Sequence, residues 1–151
     1  MQSIRELDLS SCKLRDFEKM FDQSKCPNLK ELNLNHNFLS SMKGFGFMPQ
    51  LKILKLKSNR IESLFCKPKE GDTSGYPPGM FGLFGLEFLD VSNNSLTDLF
   101  GLQFAKLKEL RVMYAAGNEI QKVGYIDKLV KLRELDLSKN KIRSIDPSSF
   151  P

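Results

Sequence analysis

The residues that could support catalysis are few in this chain. His36 is its single histidine, and a thiol catalyst would have to pair it with Cys66. A catalytic thiol needs its base within hydrogen-bond reach. The pattern around the two residues instead places His36 at the end of a predicted strand on an inner surface, and Cys66 beyond the next turn towards the outer side. The sequence therefore predicts that the protein is not an enzyme.

Metal and cofactor sites are not indicated either. The three cysteines, Cys12, Cys26 and Cys66, lie far apart, and the chain has no C-x-x-C or H-x-x-x-H spacing. The glycine-containing segment 71–75 lacks the lysine that follows in a phosphate-binding loop, and it does not join a strand to a helix. We expect no bound metal and no cofactor.

The composition is that of a soluble globular chain of one-domain length, with 40% apolar and 27% charged residues among 151. No apolar run approaches the roughly 18 to 20 residues that span a bilayer, and the N-terminus lacks a secretory signal. An odd number of widely spaced cysteines indicates a reducing compartment. We expect no membrane association and a cytoplasmic location, with the cilium, the cytoskeleton and the nucleus left open.

An eleven-residue pattern recurs along the chain and organises it. In the copy at 132–142, apolar residues stand at positions 1, 4, 6 and 11, and Asn140 stands at position 9. The alternation predicts a strand with one buried face, and the asparagine predicts a bend capped by its own side chain. The residues at position 9 of the six copies form a predicted structural ladder: Cys12, Asn37, Asn59, Asn94, Asn118 and Asn140.

The spacing of these copies is that of a stacked coil. Successive position-9 residues are 25, 22, 35, 24 and 22 residues apart, and the core reads L-x-x-L-x-L-x-x-N/C-x-L. On this pattern the chain resembles leucine-rich repeat proteins. Its shortest repeats resemble the 22-residue intracellular subclass typified by the regulatory subunit of protein phosphatase 1, axonemal dynein light chain 1 and the spliceosomal U2 A-prime protein.

The resemblance implies an α/β solenoid of about six repeats. Its parallel sheet would form the concave side, and short helices, 3-10 turns and loops the convex side. It also implies a noncatalytic module that binds a protein partner, with axonemal and phosphatase complexes as the kinds of assembly suggested. We interpret residues 1–151 as one such domain, cut from a longer protein.

The longest gap between copies predicts an inserted loop. The 35-residue interval exceeds 22 by 13 residues, and the surplus falls at about 66–79, which is rich in proline, glycine and charge. Such a segment cannot pack a core, so we expect it to loop out from the solenoid.

Two predictions concern the outer segments. Phe17, Met20 and Phe21 recur at helical spacing, which predicts a short helix over 16–24. Met42, Phe45 and Met48 follow at three-residue steps and are predicted to point into the core.

Strand alternation also predicts the outward-facing side chains, at positions 3, 5 and 7 of each copy. Stacking aligns Ile53, Phe88 and Val112 in the middle of one row, with Tyr114 beside them, and apolar residues on a solvated face favour a contact site. The predicted partner-binding residues are Ile53, Lys55, Lys57, Phe88, Asp90, Val112 and Tyr114. The two lysines suit an acidic neighbour in the partner. The alternative is that Phe88 only stabilises the sheet by leaning on its neighbours.

A second hypothesis is a ribonucleoprotein component with a basic RNA-contacting surface. It draws on the U2 A-prime resemblance and on six basic residues: Lys128, Lys131, Arg133, Lys139, Lys141 and Arg143. These cations are interleaved with Glu134 and Asp136, and the chain lacks an aromatic platform for stacking bases. Nucleic acid is therefore the less favoured partner.

Overall fold

The computed structural model describes residues 3–46, 48–67, 70–71, 79–103 and 105–151. Within them, six three-residue strands form one parallel sheet in chain order, and two shorter strands form a second, two-stranded sheet. The strands of the large sheet are β1 (Glu6–Asp8), β2 (Glu31–Asn33), β3 (Ile53–Lys55), β4 (Phe88–Asp90), β5 (Val112–Tyr114) and β7 (Glu134–Asp136). The small sheet pairs β6 (Lys122–Val123) with β8 (Ser144–Ile145).

The register of the large sheet follows the eleven-residue pattern in every copy. Position 3 pairs with position 3 from Glu6 through to Glu134, and positions 4 and 5 pair in the same way. Strands β2 to β5 bury their position-4 side chains completely against the inside of the coil, as Leu54 and Leu89 show, whereas those of β1 and β7 are partly buried. This is the predicted parallel-sheet solenoid, and the fold prediction is confirmed.

The ladder asparagines connect one turn to the next. The side-chain Nδ2 of Asn59 donates to the carbonyls of Leu34 in the preceding turn and Leu56 in its own, and its Oδ1 accepts from the N–H of Leu39. Asn94, Asn118 and Asn140 make the equivalent set of bonds. The amide therefore satisfies one backbone N–H of the preceding turn, and it donates to carbonyls that successive ladder residues share.

Cys12 behaves differently from the asparagines that share its position. It is exposed, and its Sγ donates to the carbonyl of Ser10 rather than to another turn. Its backbone N–H is bonded to Oδ1 of Asn37 in the following turn. Among the described residues, the Cys12 side chain bonds only within its own turn.

The convex side is built from short segments. Asp16 caps the helix α1 (Phe17–Met20), and 3-10 helices span Gln23–Lys25, Phe100–Gln103 and Pro147–Ser149. The helix predicted over 16–24 is therefore too long. Its backbone turns extended at Phe21, which lets that ring stack on Phe17 with 5.0 Å between centroids.

Further along the convex side, Met42, Phe45 and Met48 are buried as predicted. The loop predicted at about 66–79 falls largely outside the described residues, which include only 66–67, 70–71 and 79 of it. Strands β3 and β4 on either side are direct neighbours in register. The large sheet therefore continues without interruption across the longest interval.

Candidate functional site

The outward row at position 3 changes character in the middle of the sheet. Glutamates occupy it in β1, β2 and β7, whereas Ile53, Phe88 and Val112 occupy it in the three central strands as direct register neighbours. All three side chains are half-buried and therefore reach solvent. A continuous apolar strip thus crosses the centre of a polar face.

Tyr114 extends this strip into the neighbouring row. Its ring meets that of Phe88 edge to face, with centroids 5.4 Å apart and planes at 87°, a favourable arrangement for two aromatic rings. Its hydroxyl donates to Oε1 of Glu134 at 2.9 Å, and this bond raises the pKa of the phenol. We name Ile53, Phe88, Val112 and Tyr114 the central patch. The structure places these four residues side by side.

The two lysines predicted to flank the patch differ in availability. Nζ of Lys55 lies 2.6 Å from Oε1 of Glu31, so its charge is already paired within the sheet. Lys57 makes no ion pair among the described residues, and its backbone N–H donates to Oδ1 of Asn35. A basic flank ready for an acidic partner is therefore reduced to one lysine.

Asp90 has a local role that the sequence analysis did not identify. Its Oδ1 accepts from the N–H of Ser92 two residues later, at 2.9 Å. Asp8, Asn33 and Asp136 cap the N–H two residues on in the same way. The recurring D-x-S or N-x-N sequence could have predicted this cap, since short polar side chains commonly bond the backbone two residues on.

The cap is missing from the two strands, β3 and β5, that supply three of the four residues of the central patch. At position 5, strand β3 carries Lys55 and β5 carries Tyr114. Neither side chain has the carboxylate or amide oxygen that accepts the hydrogen bond from the N–H two residues on. Lys55 and Tyr114, which lack this cap, therefore lie beside the apolar residues of position 3. Both departures from the repeat pattern occur in the same part of the sheet.

The two residues considered for catalysis, His36 and Cys66, differ in their exposure to solvent. His36 is exposed at a bend with a φ of 57°. Cys66 is buried in the core, and burial raises the pKa of its thiol, which leaves the poorly nucleophilic neutral form. Within the described ranges, no cluster of three or more His, Cys, Asp or Glu side chains is arranged to hold a metal ion.

Half of the basic residues behind the RNA hypothesis are paired with carboxylates. Lys131 lies 2.8 Å from Glu109, Lys128 lies 3.0 Å from Asp127, and Lys141 pairs with Glu119. These pairs lower the positive field that a phosphate backbone would require. The part of the chain that the structure describes also has no helix of the length and apolar character needed to cross a bilayer.

Three known proteins illustrate the similarity of this chain to others. It is 30% identical over 97% of its length to leucine-rich repeats and immunoglobulin-like domains protein 3 of Homo sapiens, of which it covers 12%. It is 30% identical over 85% of its length to the acidic leucine-rich nuclear phosphoprotein 32 family member A of Drosophila pseudoobscura pseudoobscura, covering 44% of it. It is 31% identical over 93% of its length to the protein phosphatase 1 regulatory inhibitor subunit PPP1R7 homolog of Arabidopsis thaliana, covering 46%. The chain thus spans less than half of each.

Solved structures agree with the fold. The ectodomain of the receptor kinase SOBIR1 from Arabidopsis thaliana matches with a TM-score of 0.59 and 25% identity, over 93% of this chain and 73% of that one. An internalin from Listeria monocytogenes matches with a TM-score of 0.60 and 19% identity, over 89% of this chain and 38% of that one.

Family profiles cover the repeats on both sides of the long interval. A leucine rich repeat profile matches residues 2–61, a second matches 85–107, and a profile of two leucine rich repeat copies matches 108–149. The unmatched stretch between the first two contains the predicted insertion. With the stacked parallel sheet and its asparagine bends, these matches show that the chain belongs to the leucine-rich repeat family.

Proposed function

We propose that this domain is a noncatalytic interaction module that binds a protein partner on its concave face, through the central patch and its polar neighbours Lys55, Lys57 and Asp90. The observation that carries the proposal is the row at position 3. Half-buried Ile53, Phe88 and Val112 replace the glutamates that occupy this row elsewhere in the sheet. Solvent-facing apolar and aromatic side chains of this kind are what protein interfaces bury.

The competing explanation is that these side chains only stabilise the sheet. The contact between Phe88 and Tyr114 would support either role. However, the core beneath already buries the position-4 residues of β2 to β5 completely, and β1 and β2 pair in the same register with glutamates at position 3. An aromatic residue is therefore not needed at this position for strands to pair.

The kind of partner is suggested by one of the relatives. The Arabidopsis thaliana relative is named as a protein phosphatase 1 regulatory inhibitor subunit homolog, which makes a phosphatase subunit the first candidate to test. All three cysteines are free thiols, which supports a reducing, cytoplasmic compartment for the complex.

Quantitative affinity purification tests the proposal with matched variants. Phe88→Glu places a charge in the centre of the patch, and Phe84→Glu places the same charge at a ring that is 37% exposed but lies outside the strand rows. We expect Phe88→Glu, and also Tyr114→Ala, to lower capture of the partner at least about tenfold, since central aromatic residues dominate interface energies. Phe84→Glu should capture the partner normally.

Circular dichroism and a denaturation midpoint are needed for each variant. The proposal expects native spectra from the Phe88 and Tyr114 variants, so that lost capture reports the surface and not the fold. Undiminished capture by both folded variants would remove the concave face as the binding site.

A further inference from the structure

The charges on the concave face indicate what its partner should carry. The three outward rows, formed by positions 3, 5 and 7 of the six copies, contain six carboxylates and two lysines. Their net charge is −4, although the whole chain has a net charge of +5. The carboxylates are Glu6, Asp8, Glu31, Asp90, Glu134 and Asp136. Positive charge is therefore concentrated elsewhere on the surface, and the sheet face itself is acidic.

The acidic character is strongest beside Tyr114. This residue pairs in register with Asp90 on one side and with Asp136 on the other, and its hydroxyl is bonded to Glu134. The three outward rows have no lysine or arginine in β4, β5 or β7. The positive charge of Lys139, at the bend after β7, favours the ionised form of Asp136.

The opposite side of the patch is closer to neutral. Lys55 is paired with Glu31 at 2.6 Å, and Asn33 donates to Asp8 at 2.9 Å. The two ends of the central patch are therefore unlike. Glu31 on one side is neutralised by a lysine, whereas Glu134 and Asp136 on the β7 side make no ion pair among the described residues.

We propose, building on the protein-binding function above, that the concave face docks a segment of a partner protein in which an aliphatic or aromatic side chain is accompanied by lysine or arginine. The apolar side chain would cover Ile53, Phe88 and Val112. The basic side chain would lie against Tyr114, where a cation gains from the ring face as well as from Asp90 and Asp136. An acidic segment would instead bring like charges together as both surfaces lose water, which costs binding energy.

A library of random twelve-residue peptides displayed on phage provides the probe. It would be selected on the wild-type domain and counter-selected on Phe88→Glu, so that the surviving peptides require the central patch. We expect those peptides to be enriched in lysine or arginine next to an apolar residue. A synthetic copy of one such peptide, and a copy with its basic residues changed to glutamate, would then be titrated by fluorescence anisotropy.

The domain variants for the titration remove charge while keeping shape. Asp136→Asn retains the side-chain oxygen that caps Ser138, as Asn33 does for Asn35, and Glu134→Gln retains an acceptor for Tyr114. Together they should lower the affinity for the basic peptide about tenfold. Glu62→Gln, at an exposed carboxylate outside the three outward rows, should leave this affinity unchanged. Binding of the basic peptide should also weaken as salt rises.

The outcomes separate this inference from the function on which it rests. Peptides that require Phe88 but are acidic or uncharged would overturn the charge assignment and leave the docking face standing. A selection that yields no Phe88-dependent peptide would contradict both. Equal affinity for the basic peptide and its glutamate copy would also overturn the inference.

Discussion

The side-chain Oδ1 of Asn94 accepts a hydrogen bond at 2.9 Å from the backbone N–H of Ile61, thirty-three residues earlier in the chain. The Nδ2 of the same amide donates to the carbonyl of Leu56 in that earlier turn and to the carbonyl of Val91 in its own. One buried amide thus holds the two turns that flank the longest interval. The alignment of the outward rows, and with it the central patch, depends on bonds of this kind.

Replacing Asn94 with alanine should destabilise the fold by about 2 kcal/mol, since it leaves the buried N–H of Ile61 without a partner. It also removes one of two donors from the carbonyls of Leu56 and Val91, which keep their bonds to Asn59 and Asn118. The measurement is the free energy of unfolding in urea. Cys12→Ala changes the same position of the pattern at an exposed site, and it should cost less than about 0.5 kcal/mol. Equal losses from the two substitutions would contradict a bridging role for the amide.

The aspartate caps predict how stability depends on acid. Hydrogen bonds from Ser10 and Ser138 hold the pKa values of Asp8 and Asp136 below their usual range. A carboxyl whose pKa is lower in the folded state stabilises the protein above its unfolded pKa of about 3.9, and this stabilisation is lost as pH falls through the folded pKa. The urea midpoint should therefore fall as pH drops below about 4.

The control for this acid sensitivity is the double variant Asp8→Asn with Asp136→Asn. Each asparagine can still cap the N–H two residues on, as Asn33 does, but it cannot be protonated. We expect a smaller loss of stability below pH 4 than in the wild type. Part of the loss should remain, since the pKa values of Asp22 and Asp146 are lowered in the same way. If the double variant and the wild type lost the same stability below pH 4, the caps of Asp8 and Asp136 would not contribute to the acid sensitivity.

Gly117 is predicted to resist substitution because of its backbone. Its φ is +67°, and an added Cβ would clash with Oδ1 of Asn93 in the preceding turn. Gly117→Ala should cost about 1–2 kcal/mol from the left-handed conformation, with a further cost for moving Asn93. Gly124→Ala meets only Ser149 at an ordinary 3.5 Å and should be close to neutral in thermal unfolding. The opposite order of the two midpoints would contradict this structure of the bend.

Tyr114 permits its ring and its hydroxyl to be tested separately. Tyr114→Phe removes the bond to Glu134 but keeps the edge-to-face contact with Phe88, whereas Tyr114→Ala removes both. If the apolar surface carries binding, the phenylalanine variant should retain most of the affinity for a Phe88-dependent peptide, and the alanine variant should lose it. Isothermal titration would decide, and equal losses would assign the contribution to the hydroxyl.

Much of the architecture follows from the repeat alone. The alternation around Leu54 or Leu89 fixes which side chains turn inward, and a constant frame fixes which residues become neighbours across strands. For this reason the sequence alone predicts that Ile53, Phe88 and Val112 lie in one row, as the register shows. Stacking repeats at a constant register leaves few alternatives.

Other features depend on interactions that periodicity does not encode. Every residue before the ladder position has a left-handed backbone, and yet only one of the six is glycine: Ser11, His36, Ser58, Asn93, Gly117 and Lys139. The pairing of Lys55 with Glu31 required knowing that a long side chain reaches diagonally to the next strand. The pattern also does not reveal that Cys12 is exposed, whereas Asn37 and Asn59 at the same position are buried.

The most direct test of the concave docking face is a methyl NMR titration of the domain with a peptide selected as described above. The methyl groups of Ile53 and Val112 lie in the central patch, and those of Val130 and Ile145, which are 66% and 57% exposed outside it, serve as internal controls in the same spectra. We expect saturable shifts at Ile53 and Val112, with the signals of Val130 and Ile145 unchanged. Shifts confined to Val130 or Ile145 would contradict the concave docking face.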